Sequence, residues 1–321
     1  RGYYYYQLLL QYGPIPILPD KAVDVDADVE EMSLERATYD ECIEYICENM
    51  EMAAQLLYSE RPSAEIDLPT MGAALAVIAR VRLYAASPWF NGGSGGLYTD
   101  WKRESDGKHF IGQTLDNKKW GKAAAAAKRI IDLNEYELYT SPKKNDTKAL
   151  PEVVMTTFNS RPISQFDPST IDPLRSYSEI FNGDVSVSMN KEIIYSCRPT
   201  QSGKDSPAGI AMPAVMGGMN GLNLTQSVSD MFYMDDGSEY IQPQDAHEAI
   251  GVAKSFSGYT VSRNTAKMHD NREMRFYVSI GYNHAIWPNA SYTGSSNLKN
   301  LEVEYYSDGN AGPPANYAVD Y

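Results

Sequence analysis

The stretch from Pro69 to Gly93, PTMGAALAVIARVRLYAASPWFNGG, constrains the chain most, because it predicts a helix with both ends marked and two apolar sides. Thr70 can offer its hydroxyl to an orphan amide of the first turn. Pro88 has no N–H and restricts Ser87 before it, so the helix should close near Ser87. Inside, Ala74, Val77, Ile78, Val81 and Ala85 form one stripe, and Leu75, Ala79, Leu83 and Ala86 a second. A helix apolar on two sides needs a neighbour on each, and its alanines let the backbones approach closely. Arg80 and Arg82 fill the remaining sector, where their stems pack and their guanidinium groups reach water or a carboxylate.

Similar signals surround this helix. Thr38 and Glu41 form the capping pair T-x-x-E ahead of a stripe of Ile43, Ile46, Cys47, Met50, Ala53, Ala54 and Leu57, so two helices make a hairpin joined by the polar ERPSAEIDLP. RGYYYYQLLLQYG reads as the end of an earlier helix, stopped by Gly13, Pro14 and Pro16, with Ile15 to Leu18 extended. A third amphipathic helix is expected in LDNKKWGKAAAAAKRIIDL, with Trp120, Ala123, Ala124, Ala127, Ile130 and Ile131 on its core side. Helix pairs with small residues at their contacts suggest tetratricopeptide-like stacking, although no strict period of about 34 residues is visible.

At 321 residues the chain can bury a large core. Its 28 Lys and Arg against 42 Asp and Glu give a formal charge of -14, which repels a phosphate backbone, so nucleic acid is not an expected partner. The aromatic set, 24 Tyr and 4 Trp but 8 Phe, favours rings with a polar handle, suited to polar ligands as well as to half-buried helix contacts. Cys42 and Cys47 lie five apart on one predicted helix and cannot bridge each other; Cys47 reads as a small core residue, and with Cys197 the three have no metal-ligand spacing. Asp24, Asp26, Asp28 and Glu35 imitate a calcium-loop spacing, but Val29 stands where the sharp turn needs Gly, so a solvated acidic linker is expected and no metal or cofactor. No apolar run is long enough to span a bilayer. Arg1 opens inside a helical pattern without an initiator Met or a cap, so the natural N-terminus, with any targeting or lipidation signal, is expected upstream.

From Tyr136 onward the texture changes. VVMTTF and EIIYSCRP read as short strands or extended segments, and short helices are expected in SYSEIFNG and LTQSVSDMFYMDDG, amid long stretches rich in Gly, Ser, Asn, Asp and Pro. The expected organisation is a helical scaffold over 1–135 and a loop-rich, partly helical, ligand-binding region over 136–321, packed as one unit with it. Loops of this length in a folded region are commonly functional.

GAALAVIARVRLYAASPWFNGG resembles the signature helix of the SusD/RagB family, and RATYDECIEYICENMEMAAQLL resembles the helix that precedes it there. RGYYYYQLLLQYGPIPIL, the KKWGKAAAAAKRIIDL helix, SDMFYMDDG and DNREMRFYVSIGYN are similar to family segments too, although Glu273-Met274 replaces an Asp-Pro. The resemblance covers about 1–133 well and 176–287 in patches; the chain stops where the family continues into its last helices. It implies a mostly α fold, tetratricopeptide-like helical pairs scaffolding a loop-rich irregular region with short strands. It also implies a surface-exposed outer-membrane lipoprotein, held by a lipid anchor absent from this chain, which captures glycan beside a SusC-like TonB-dependent transporter. Some members capture peptide instead. A helical protein–protein adaptor is the other alternative, though it has no need of the aromatic-rich second half.

Catalysis is not expected. Asp235 and Asp236 are adjacent, and adjacent carboxylates rarely flank one sugar bond. The four histidines show no paired metal spacing and no G-x-S-x-G elbow occurs. Sugar rings pack their C–H faces on aromatic planes while Asn, Asp, Arg and Tyr meet the hydroxyls. Trp287 with Tyr282, Asn283 and Tyr292 supplies that chemistry within a few residues, and Trp89 with Trp101 is a second candidate cluster; each Trp can equally pack beneath its own loop.

Overall fold

The computed structural model describes residues 1–20, 24, 26–160, 167–196, 206–288 and 298–312. It divides into two compact units, Arg1–Glu137 with Lys191–Cys197, and Leu138–Asn190 with Arg198–Tyr321.

The first unit is a helical stack. Helix α1 (Gly2–Tyr12) is followed by the single turn α2 (Val29–Met32), then by α3 (Tyr39–Leu56), α4 (Met71–Ala86) and α5 (Lys118–Asp132). Their ends follow the local signals. Glu41 N donates to Thr38 Oγ1 at 3.2 Å while Thr38 N donates to the Glu41 carboxylate at 2.7 Å, a complete capping box. Ala73 N donates to Thr70 Oγ1 at 3.2 Å, and α4 stops at Ala86 with Ser87 extended before Pro88. Gly13 closes α1 at φ 66°, a conformation that suits glycine.

Helix α4 has neighbours on both sides, α3 and α5, and α1 packs on α3. Leu75, Ile78 and Val81 of α4 meet Ile43, Ile46, Cys47 and Met50 of α3 in the core. Each such apolar side chain contributes about 1.5–3 kcal/mol on burial. Leu83, expected on the second stripe, is exposed. Helix α5 departs further: Trp120 is 45 % exposed and Ile131 75 %, and Ala124 and Ala127 are exposed as well. Only Ala123 and Ala126 are fully buried, with Ile130 half-buried, because α5 rests on α4 through a narrow alanine line and the rest of its apolar stripe falls outside that contact. Charge ties α5 to α3 as well. Lys119 bonds Asp40 at 2.6 Å, Lys122 bonds Glu44 at 3.0 Å, and Arg129 pairs with Glu51. Arg82 of α4 grips Glu44 with both nitrogens at 2.6 Å. Both Cys42 and Cys47 are buried free thiols; Cys197 lies outside the described residues. Glu35 accepts hydrogen bonds from the backbone and hydroxyl of Ser105.

The second unit holds short elements. VVMTTF is not a strand: it forms most of α6 (Glu152–Ser160), where Pro151 pre-sets the first turn and Glu152 complements the helix N-terminus. Residues 192–196 of the other expected strand run as turn and irregular backbone. Helices α7 (Pro173–Ser178), α8 (Pro207–Ala211), α9 (Gln226–Asp230) and α10 (Met274–Ser279) follow, α7 and α9 within or beside the segments read as helical. Asp172 caps α7 by accepting from Arg175 N at 3.1 Å and, fully buried, also pairs with the Arg175 guanidinium at 2.7 Å. Strands β1 (Lys254–Phe256) and β2 (Tyr259–Val261) form a hairpin in register Phe256↔Tyr259. Its two-residue turn, Ser257-Gly258, has positive φ at both positions, as the tightest hairpins require. Strands β3 (Ile286–Trp287) and β4 (Leu301–Glu302) pair antiparallel, and the bridge Val261↔Ala285 sets the first hairpin beside β3. Beneath them Leu174, Tyr259, Val261, Phe276, Tyr277, Ile280, Tyr282 and Ala285 form a second core. Among the described residues no helix is long and apolar enough to cross a membrane.

Candidate functional site

The second unit carries an open cleft of about 490 Å³. Four stretches of chain meet at it. His247 and Ala249 come from one side, and the bridge Ala249↔Ala266 brings Asn264 and Ala266 against them. The short turn Lys267–His269 adds His269, the approach to β3 adds Asn283 and His284, and the chain beyond β4 adds Glu304 and Tyr306.

Hydrogen bonds hold these groups in place. His284, at φ 68°, sets its Nδ1 at 2.8 Å from a Glu302 carboxylate oxygen, and Asn264 Nδ2 donates to the same oxygen at 3.0 Å. Burial works to raise the Glu302 carboxyl, but the hydrogen bonds from Asn264, Ser262 and His284 outweigh it and hold it below the usual carboxylate range. Asn283 Oδ1 accepts from Tyr305 N at 2.9 Å, which fixes the amide at the rim. Asn310 Oδ1 accepts from Glu304 N at 2.9 Å, so Glu304 is placed through its backbone. The Tyr306 ring is 48 % exposed and tilts over His284 at 5.8 Å. His269 stacks on Phe276 and Tyr282, and burial, aided by the nearby Arg272, pushes its imidazole down to about 4. It is a neutral wall at neutral pH. Among the described residues no group of three or more His, Cys, Asp or Glu is arranged to hold a metal.

Of the residues singled out from the sequence, only Asn283 lines this cleft. Tyr282 is a correction: it is 5 % exposed, its hydroxyl lies 3.1 Å from that of Tyr259, and burial pushes it far up, so it has no free face for a ligand. Trp287 is half-buried and packs on the second core, and Tyr292 lies outside the described residues. Trp89 and Trp101 belong to the first unit. Trp89 is 59 % exposed; Trp101 is 37 % exposed and packs on Phe110 at 5.0 Å. Asp235 is paired with Lys148 at 2.8 Å and Asp236 accepts from Ser238, so both acids are held by their own loops. Sequence reasoning missed His247, Asn264, His269, His284, Glu304 and Tyr306. One signal was present: in LEVEYY, Glu302, Glu304 and Tyr306 alternate, which puts them on one side of an extended chain.

A family model described as "Starch-binding associating with outer membrane" matches residues 1–83, and one described as "SusD family" matches residues 180–320, which include every residue lining the cleft. The chain belongs to the SusD/RagB family. Among solved structures it is similar to BT4246, at 22 % identity over 96 % of this chain and 52 % of that one, with a TM-score of 0.68. It is also similar to a SusD-like protein (BF3747) of Bacteroides fragilis, at 19 % identity over 97 % and 47 %, with a TM-score of 0.58. A SusD-like carbohydrate-binding protein (BF0978) of the same species matches at 15 % identity over 89 % and 39 %, with a TM-score of 0.50. The chain thus spans about half the length of these relatives or less. No curated protein sequence matches it.

Proposed function

We propose that this chain binds carbohydrate at the cleft of its second unit, as part of a surface lipoprotein of the outer membrane that passes glycan to a SusC-like TonB-dependent transporter. In this reading the helical unit is the scaffold and the loop-rich unit the ligand-binding region. The observation that carries it is the cleft's chemistry inside the family-matched region. An exposed tyrosine ring stands beside two asparagines, three imidazoles and a carboxylate, groups that meet hydroxyls as donors and acceptors alike. The cleft size fits one or two sugar rings, within the roughly 300–1,000 Å³ typical of small-ligand sites.

The role is non-catalytic. A glycosidic general acid needs a carboxyl whose pKa is raised toward neutrality. Glu302, tied by His284 and Asn264, is shifted the other way. Trp89 and Trp101 are a second aromatic contact offered by the helical unit.

Calorimetric titration of a glycan panel against the chain, with Asn283→Ala and Tyr306→Ala beside the parent, tests the proposal. Loss of the Tyr306 ring should weaken binding by roughly 5- to 100-fold, the equivalent of about 1–3 kcal/mol of contact, with little change in melting temperature. Undiminished glycan binding in both variants would move the site elsewhere, and tighter binding of peptides than of any glycan would replace the ligand class.

A further inference from the structure

The fixed charges around the cleft say more about its ligand. Among the described residues no lysine or arginine lines it. Glu304 does, and Glu302 stands immediately behind His284. Lys267, next to the wall residue Ala266, is taken up by Asp245 and Glu248, and Lys254 is taken up by Asp270 and Asn271. Arg263 is exposed and is not among the lining residues. A ligand entering here therefore meets one carboxylate directly and a second through an imidazole, and among the described residues no lysine or arginine of the lining balances an acid of its own.

The uncharged groups favour hydroxyls in the same way. An amide or imidazole can donate to or accept from a hydroxyl, and Glu304 can accept from one. A uronate or sulfate has no proton to give Glu304 and adds like charge beside it. Desolvating that charge in a cleft floored by Ala249 and Ala266 adds a further cost.

We propose that the cleft selects neutral saccharides and excludes acidic ones, those bearing uronate or sulfate groups. This rests on the carbohydrate reading above and sharpens it. Exclusion operates through Glu304, which touches the ligand space, with Glu302 reinforcing it from behind His284. Glu304 is positioned by backbone bonds, Asn310 Oδ1 accepting from its N–H and its carbonyl accepting from Ala311 N, and its carboxylate accepts from the Tyr306 hydroxyl; glutamine keeps an acceptor there, so the charge can be removed without moving the chain.

The test uses the whole chain at low ionic strength and pH 8, where unperturbed imidazoles are uncharged. Neutral gluco-, manno- and xylo-oligosaccharides are titrated against oligogalacturonates and sulfated chondroitin oligosaccharides of similar length. Binding of a neutral series with acidic oligosaccharides at least about tenfold weaker is expected, from like charges a few ångströms apart in a partly solvated site. Glu304→Gln should narrow that gap by about threefold or more while its melting temperature stays at the parent value. Preferential binding of an acidic series, or a gap that Glu304→Gln leaves unchanged, overturns the inference while the carbohydrate reading stands. Silence toward both series overturns the two together.

Discussion

Arg272 is the residue whose removal should be felt most widely in the second unit. It is fully buried, and among the described residues no carboxylate forms an ion pair with it, although Asp230 and Glu273 act on it from farther away. Its guanidinium donates instead to three backbone carbonyls, Met268 at 3.0 Å, Ser229 at 2.6 Å and Phe232 at 2.8 Å, and lies over the rings of Tyr240 at 4.0 Å and Phe276 at 4.6 Å. Burial pulls its pKa below the usual arginine value. It thereby joins α9 and the turn after it to the Lys267–His269 turn that walls the cleft. Arg272→Met fills much of the volume but takes a donor from each of three carbonyls, of which Ser229 O keeps a long bond from Phe232 N at 3.4 Å and Phe232 O is part-buried, a gross loss of at most about 3–9 kcal/mol at about 1–3 kcal/mol each. Relief from burying a charge returns several kcal/mol, and the net expectation is a destabilisation of about 2–4 kcal/mol. Arg272→Lys should recover less than half of it, because one ammonium cannot span three carbonyls set for a planar fork. Urea unfolding of the whole chain, followed by circular dichroism and tryptophan fluorescence, measures both, and glycan titration of the folded variants reads the His269 wall. A methionine variant within about 0.5 kcal/mol of the parent would refute the reasoning, since the carbonyls would then have found other donors at no cost.

Three further outcomes are expected. Arg82 holds the Glu44 carboxyl at about 2 and Arg103 holds Glu41 at about 2, against an ordinary 4.5; because the folded values are depressed, their stabilisation is present above about pH 4.5 and lost as pH falls toward 2. Glu44→Gln should flatten that part of the acid-unfolding curve of the helical unit; an unchanged curve would show the pairs contribute nothing. His269 is likewise depressed, by burial, to about 4 from 6.5, so stability should decline as pH drops from about 6.5 to 4, and His269→Phe should remove that slope in a melting-temperature series. At Gly72 an added Cβ would overlap the Tyr136 hydroxyl and ring, so Gly72→Ala should cost about 1–3 kcal/mol despite its better helix propensity, and Gly72→Ala with Tyr136→Phe should recover part of it in thermal unfolding.

What the sequence determined by itself is local. Thr38 with Glu41, Thr70, and Ser87 before Pro88 set the ends of α3 and α4 because a cap satisfies amides three residues away, and the neighbours that do so are adjacent in the chain. The apolar stripe of α3 and most of the two on α4 were legible because both faces find partners within the same hairpin stack, Leu83 alone being left exposed. Burial elsewhere was decided by tertiary structure. The same periodicity that buries Ile46 leaves Trp120 and Ile131 exposed, since α5 meets α4 through its alanines and a period does not say how wide the contact will be. VVMTTF carries the β-branched residues of a strand, yet it lies where Pro151 and Glu152 start a helix and propensity yields to that setting. Tyr282 and Asn283 are neighbours in sequence, but one faces the second core and the other the cleft, because the chain turns at Asn283-His284, with His284 at φ 68°, and carries these two residues to the cleft. The cleft itself gathers residues from four stretches between His247 and Tyr306, brought together by two short sheets and two bridges. Of it only Asn283 could be named in advance, for the polarity of a cleft belongs to the packing of separate segments, and no single stretch of sequence contains it.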